Sequence, residues 1–269
     1  MKKTTIGTCI LAATMFVACP LFGQTDASGL ESALHGKLLV LRSYSADRVT
    51  KLTYVDGKIY ATPFMHGLAA FLSDTVQQKG NKVLIDGQSE SMVMDNGKVR
   101  LMGQIPMRIE VDLQDTKPEV AYPQLQALLF FPTMKEALAS LPEYVADILP
   151  FPTDGKVPPP ACHCIHVFQN GKWIQVASDD PKFKPPLTIK ENSNPALPQM
   201  AIDQKVSGII VFLYVITDVG RVNEIWLARP LGADMDESAA KTGHADTFKP
   251  ATLDGKPVGS VLLHPVPVN

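Results

Sequence analysis

The sequence lacks an excess of charge of either sign. Its 269 residues include 25 Lys and Arg against 27 Asp and Glu, which gives a formal net charge of −2. Proteins that bind nucleic acid or an anionic membrane surface concentrate positive charge on one face. This composition gives no reason to expect either partner. A hydrophobic content of 45% with 19% charged residues is typical of a globular protein rather than a disordered one.

The signatures of common enzymes are also missing. No serine stands in a G-x-S-x-G motif, and the glycines fall in hairpin turns rather than in phosphate-binding or dinucleotide-binding loops. Four scattered histidines have no nucleophile or carboxylate at a recognisable offset: His35, His66, His244 and His264. We therefore predict no catalytic residue, no cofactor and no enzymatic activity.

Cysteine is scarce, with four in the chain, but two of them belong to a compact cluster. On a strand, Cys162, Cys164 and His166 share one face, so two thiolates and an imidazole could meet zinc or copper. No second cluster supplies a fourth ligand. In an oxidising compartment the thiols could instead form a strained ring, pair between chains or stay buried. We expect no bound metal, and a metal- or redox-handling periplasmic protein is the alternative.

No hydrophobic run has the length of a clear membrane span, and a short one lies near the N-terminus. Two lysines precede an apolar run at 6–17, which is typical of a signal peptide and short for a membrane span. We assign 1–24 as the signal peptide, with cleavage near Gly23. An imperfect lipobox ends at Cys19, and lipidation there would attach the protein to a membrane. The expected location is the periplasm or outside the cell.

The first part of the mature chain has a β pattern. Tight turns at Asp56-Gly57 and Asn96-Gly97 separate flanks in which apolar and polar residues alternate. Several short strands with such turns favour an antiparallel meander. We predict that 25–118 forms a β-rich N-terminal domain, either a small sandwich or a half-barrel.

The middle of the chain changes period and then becomes rich in proline. Apolar residues recur at helical spacing around Pro132 and Pro142, which must begin or break helices. We predict short helices and a further hairpin, turned at Asn170-Gly171, across 119–179. Prolines and asparagines then dominate 180–202, which we interpret as a linker.

The C-terminal part has an ordered series of motifs. A buried apolar strand leads through D-x-x-G-R to a second strand, followed by R-x-L-G, an acidic helix start, F-K-P-A-T and D-G-K-P-V. This order, matched from Val215 to Val258, resembles the C-terminal domain of the TonB energy-transducing family, in the form found on secreted bacterial proteins.

The resemblance implies both a fold and a function. It implies that 203–269 is a three-stranded antiparallel sheet with helices on one face, so that the whole chain is α+β. It also implies a protein partner in the cell envelope, bound by pairing of an extended peptide with an exposed sheet edge, and a link to TonB-type transport across the outer membrane. Arg221 and Arg229 are the candidate partner-binding residues. A purely structural scaffold is the alternative.

One helix departs from the family pattern. The stripe expected to face the sheet runs through Met235, Ala239, Thr242 and Asp246, and only the first is a large apolar residue. We predict an under-packed face and a helix that ends near Gly243. Restoring bulk with Gly243→Val and Asp246→Trp should then stabilise the module.

Overall fold

The computed structural model describes residues 27–42, 47–61, 64–95, 98–148, 164–191, 195–232 and 234–268. The helices are α1 (Ala27–Leu34), α2 (Pro118–Leu129), α3 (Met134–Ala139), α4 (Glu143–Ala146), α5 (Gln199–Asp203) and α6 (Met235–Gly243). The first nine strands are β1 (Leu38–Leu41), β2 (Val49–Val55), β3 (Lys58–Ala61), β4 (Ala69–Lys79), β5 (Lys82–Asp95), β6 (Lys98–Asp112), β7 (Phe130–Phe131), β8 (Cys164–Gln169) and β9 (Lys172–Ala177). The others are β10 (Phe183–Lys184), β11 (Leu187–Lys190), β12 (Gly208–Ile216), β13 (Val222–Arg229), β14 (Thr247–Lys249), β15 (Ala251–Leu253) and β16 (Lys256–Val268).

The chain is a strand-rich α+β protein with short helices. The longest helix in the described ranges, α2, has 12 residues. In that part of the chain, no helix has both the length and the apolar character needed to cross a membrane.

The first half forms a seven-stranded sheet in the order β3-β2-β6-β5-β4-β1-β7. The turn between β2 and β3 lies where the sequence predicts it, with positive φ at Asp56 (48°) and Gly57 (76°). The predicted turn at Asn96-Gly97 lies outside the described residues. The expectation of a wholly antiparallel sheet is wrong at one place, because β2 pairs in parallel with β6. Hairpin turns predict the pairing only of strands that are adjacent in the sequence. β2 and β6 are not adjacent, so their pairing could not be predicted in this way.

This sheet is curved, with its main core on the side covered by α1 and α2. Buried residues from both helices and six of the strands form one cluster that includes Leu34, Tyr54, Phe71, Ile109 and Leu125. Residues at both edges of the sheet line a common cleft, since Ile59 on edge strand β3 and Leu129, directly before edge strand β7, both face it together with Arg42. The two edges therefore approach each other at a seam.

The second sheet is larger than the three strands expected from the resemblance. Its path is β10-β15-β16-β12-β13, and the β8–β9 hairpin joins it through β16. The stretch 180–202, interpreted as a linker, includes β10 and β11, which pair with β15 and β14. Strands from before residue 203 thus pair with strands of the module: β8 with β16, β10 with β15 and β11 with β14.

A second hydrophobic cluster joins the two sheets. It contains Phe131 from the first sheet, Leu138 and Tyr144 from the short helices, and Leu213 and Trp226 from the second sheet. The helices α3 and α4 contribute to the same core that β12 and β13 present on this face. Because this packing covers part of β12 and β13 on this face, a partner can reach only the remaining parts of the second sheet.

The face of α6 is not under-packed, which contradicts the expectation above. The helix does end at Gly243, but Gly243 lies against the ring of Tyr214, and a Cβ placed there would overlap the Tyr214 hydroxyl oxygen. Asp246 is 2% exposed and accepts a hydrogen bond of 3.4 Å from that hydroxyl. His264 stacks on the Tyr214 ring with centroids 4.7 Å apart. The small residues on the helix therefore make room for a tyrosine, and no space remains for Val or Trp.

Candidate protein-binding interface

The C-terminal strand β16 pairs with three other strands of the second sheet, β12, β15 and β8. On its inner side, nine residues of β12 pair with it in one continuous antiparallel register, from Gly208 opposite Val268 to Ile216 opposite Ser260. This register carries no bulge, in contrast to the β12–β13 pairing, which is shifted twice. The strand is therefore held firmly from one side along most of its length.

The outer side of β16 is only partly paired. β15 pairs with its first residues, from Lys256 to Val258, and β8 pairs with Gly259 and Ser260. Among the strands that the structure describes, none pairs with the outer side of 261–268. We call the backbone of 261–268 on this side the outer edge.

Two prolines determine which hydrogen bonds the outer edge can form. Pro265 lies opposite Val211 and Pro267 lies opposite Ile209, yet proline has no N–H to donate into that ladder. Alternate residues of an antiparallel strand direct their backbone groups to opposite neighbours. The odd-numbered residues from 261 to 267 therefore direct their backbone groups away from β12. The outer edge offers four carbonyl oxygens but only the N–H groups of residues 261 and 263.

An exposed apolar strip lies beside this edge. Leu263 is 48% exposed and Ile209 is 47% exposed, and both prolines are exposed as well. Residues that pair directly across two strands share a face of the sheet, so these side chains lie together, on the face opposite α6. The strip and the outer edge form one surface, which combines backbone acceptors with apolar side-chain contacts.

The opposite edge of the sheet, along β13, is already occupied. His66 N–H donates to the Ile225 carbonyl oxygen (2.7 Å), and Leu227 N–H donates to the His66 carbonyl oxygen (2.8 Å). His66 thereby forms an isolated parallel bridge with Trp226, on which its ring stacks at 4.7 Å. A residue of the first half of the chain thus takes the place that an incoming strand would need on β13.

Two histidines hold this contact together. His244 follows α6, and its Nε2 forms a hydrogen bond with the Phe64 carbonyl oxygen (2.8 Å). The rings of His244 and Phe64 also pack together, with centroids 4.7 Å apart. Burial lowers the pKa of His66 below its ordinary value of 6.5. The neighbouring Glu224 carboxylate opposes this effect and His244 adds to it, so the neutral ring is favoured in the docked state. Sequence reasoning missed this role, because nothing near His66 in the sequence indicates its distant partners.

We expect the contact of His66 with β13 to weaken as the pH falls. A histidine whose pKa is lowered in the docked state contributes stability that is complete above 6.5 and is lost as the pH falls through 6.5 towards the lowered value. Hydrogen exchange of the Leu227 amide should therefore show a smaller protection factor at about pH 5.5 than at about pH 7.5. In a His66→Gln variant this pH dependence should vanish. Equal protection at both pH values in the unaltered protein would contradict the prediction.

The two arginines predicted as partner-binding residues lie far apart. Arg221 precedes β13 and Arg229 ends it, so eight strand steps separate them, roughly 25 Å. Arg229 lies opposite Val211, which pairs on its other side with Pro265, and therefore stands at the end of the sheet that carries the apolar strip. Arg221 lies at the other end, where its N–H donates to the Thr217 hydroxyl (3.1 Å). Arg229 is the nearer of the two to the outer edge, but β12 lies between its strand and β16.

The structure describes two members of the predicted cysteine–histidine cluster, Cys164 and His166. Cys164 is disulfide-bonded, so its sulfur is not available as a thiolate ligand, and Cys162 lies outside the described residues. His166 is buried, and its Nε2 lies 3.0 Å from Oδ2 of Asp147, which also accepts a bond of 2.6 Å from Gln175. Within the described ranges, no three His, Cys, Asp or Glu side chains are grouped so as to hold a metal ion.

The fold and the edges define a strand-sharing α+β module, with one edge taken by the chain itself and one left partly open. Residues 193–266 match the family model of the Gram-negative bacterial TonB protein C-terminal, so this segment is a TonB C-terminal domain. No curated protein and no solved structure matches the chain. The family is known as a non-enzymatic energy-transducing and protein-interaction domain.

Proposed function

We propose that this protein is exported to the bacterial cell envelope and that its TonB C-terminal domain binds a partner protein there. The partner contributes an extended segment that adds to the outer edge of β16. The observation that carries this proposal is the pairing of the sheet. β13 already has His66 as a neighbour, whereas β12 is the one described strand that pairs with 261–268. Strand addition satisfies backbone groups that such an edge leaves to solvent.

The chemistry of the outer edge indicates what kind of segment fits. Since the edge offers four carbonyl oxygens and two N–H groups, the incoming strand must mainly donate hydrogen bonds. A partner strand without proline at the paired positions meets this requirement. Alternate side chains of that strand would cover Leu263 and the prolines, which adds apolar burial to the backbone bonds.

Charge adds a further element of recognition. Arg229 lies on the strip's face of the sheet, but β12 and β16 separate its strand from one added to the outer edge. It can therefore pair with an acidic residue only where the partner chain continues across that face beyond the added strand. An exposed pair of this kind contributes orientation more than affinity, typically 1 kcal/mol or less. By its family, the proposed role is linked to TonB-type transport across the outer membrane.

Site-specific photo-crosslinking tests the proposal. With p-benzoylphenylalanine in place of Leu263, irradiated cells should yield a covalent adduct with one discrete partner, and the adduct should be found in the envelope fraction. The matched control places the same group at Val120 on α2, which is 55% exposed and belongs to a helix that packs on the first sheet. Ile209→Asp should reduce the adduct at position 263, because it places a carboxylate in the apolar strip.

Three results would overturn the proposal. One is the absence of any adduct at position 263. Another is an equal adduct at position 120, which would indicate random collisions. The third is an adduct confined to the cytoplasmic fraction, which would contradict export.

A further inference from the structure

A cleft of about 380 Å³ lies at the seam where the two edges of the N-terminal sheet approach each other. Clefts of this size are large enough for small molecules, and the mouth of a curved sheet is a common place for them. Its non-ionic lining comes from β2, β3 and the end of α2, and consists of Leu52, Ile59, Tyr60, Ala61, Leu128 and Leu129. The remaining lining residues are Arg42 and Lys58, and no carboxylate is among them.

Arg42 is oriented by its surroundings. Its Nε donates a hydrogen bond to the Phe130 carbonyl oxygen (2.9 Å), and its guanidinium lies over the Phe131 ring at 4.5 Å. These two contacts hold the planar group while leaving its terminal nitrogens to point elsewhere. No described carboxylate forms an ion pair with Arg42 or Lys58 within the part of the chain that the structure covers. Both positive charges at the cleft therefore lack a counter-charge from the described residues.

We propose that this cleft binds an aliphatic carboxylate of the fatty-acid class. The carboxylate would accept hydrogen bonds from the terminal nitrogens of Arg42, whose fork geometry matches a carboxylate, with Lys58 as a second positive charge. The alkyl chain would lie against the leucines and Ile59, where burial removes apolar surface from water. A neutral or cationic amphiphile satisfies only the apolar half of the site.

The choice of an anionic amphiphile rests on charge complementarity. An apolar cleft alone would accept any greasy molecule, but two unneutralised cations with no acid beside them favour a negative headgroup. The volume suits a single chain better than a two-chain lipid. This site lies on the N-terminal sheet and is separate from the outer edge of β16, so it stands or falls independently of the proposed function.

Calorimetric titration of the full mature chain with sodium decanoate, below micelle-forming concentrations, tests the site. We expect one decanoate to bind per chain, more tightly than decanol or decyltrimethylammonium of equal chain length. Arg42→Gln should weaken decanoate binding by roughly tenfold, and Lys58→Gln by roughly threefold. The matched control is Lys51→Gln, since Lys51 is exposed and alternation along β2 places it on the face opposite Leu52. It should leave binding unchanged.

Thermal unfolding of each variant shows whether it is folded. If loss of the Arg42–Phe130 hydrogen bond impairs the folding of Arg42→Gln, the decanoate affinity of Lys58→Gln tests the proposal instead. The proposal is overturned if decanoate does not bind, if decanol binds as well as decanoate, or if Lys51→Gln weakens binding as much as Lys58→Gln does.

Discussion

Replacement of Gly220 by alanine should destabilise the protein by about 3 kcal/mol or more. Gly220 has a φ of +78°, and a Cβ at this position would overlap the carbonyl oxygen of Phe248. The two backbones cannot separate freely, because Phe248 N–H donates to the Gly220 carbonyl oxygen (2.9 Å). Urea unfolding of the full mature chain measures the loss.

Gly255→Ala is the matched control for this prediction. Gly255 has nearly the same φ, +75°, but nothing lies within 4 Å of a Cβ placed there. Its replacement should cost only the strain of the left-handed backbone, about 1 kcal/mol. The difference between the two variants isolates the close approach of the two backbones. Similar losses in both would mean that the D-x-x-G-R turn does not need its glycine for space.

The second large effect is expected at Gly243. Gly243→Ala should destabilise the protein by about 1–3 kcal/mol, although alanine is the better helix former, because its Cβ overlaps the Tyr214 hydroxyl oxygen. In a Tyr214→Phe background that oxygen is gone and the nearest ring carbon lies 3.0 Å from the new Cβ, so the same change should cost much less. The coupling between the two substitutions should reach about 2 kcal/mol.

A double-mutant cycle measured by urea unfolding gives this coupling directly. Tyr214→Phe also removes the hydroxyl that donates to Asp246. This cost is present in both the single and the double variant that carry Tyr214→Phe, so it cancels in the coupling. Additive effects would show that α6 has another place for the new methyl group. The pair Gly243→Val and Asp246→Trp, expected from the family pattern to stabilise the module, should instead strongly destabilise it, since it overfills the space beside Tyr214 and removes a buried acceptor.

Local chemistry made parts of this fold predictable. The turn at Asp56-Gly57 and the hairpin turned at Asn170-Gly171 follow from residues that adopt positive φ, and the structure has positive φ at all four. The series from Val215 to Val258 indicated the TonB C-terminal domain, which the family match confirms. These features depend on residues that are close together in the sequence.

Contacts between distant residues were not predictable in the same way. His66 reaches Trp226 across 160 positions, and nothing near it in the sequence differs from an ordinary loop. The burial of Asp246 depends on Tyr214, 32 residues away, so the sequence alone suggested a polar residue out of place. The candidate interface shows the same division: a binding role for Arg229 is a prediction from the sequence alone, whereas the outer edge follows from the order of the strands.

The antiparallel pairing of β12 with β16 also has a mechanical consequence. Gly208 lies opposite Val268, so the chain enters and leaves this strand pair at the same end. Tension between those two residues separates the strands like a zipper, one pair after another. Tension along a segment added to the outer edge would run parallel to the strands and load all of its interstrand hydrogen bonds at once, because those bonds are perpendicular to the strands. β16 is thus separated easily from β12 by a force on its own end, whereas its pairing with an added segment resists a force along that segment.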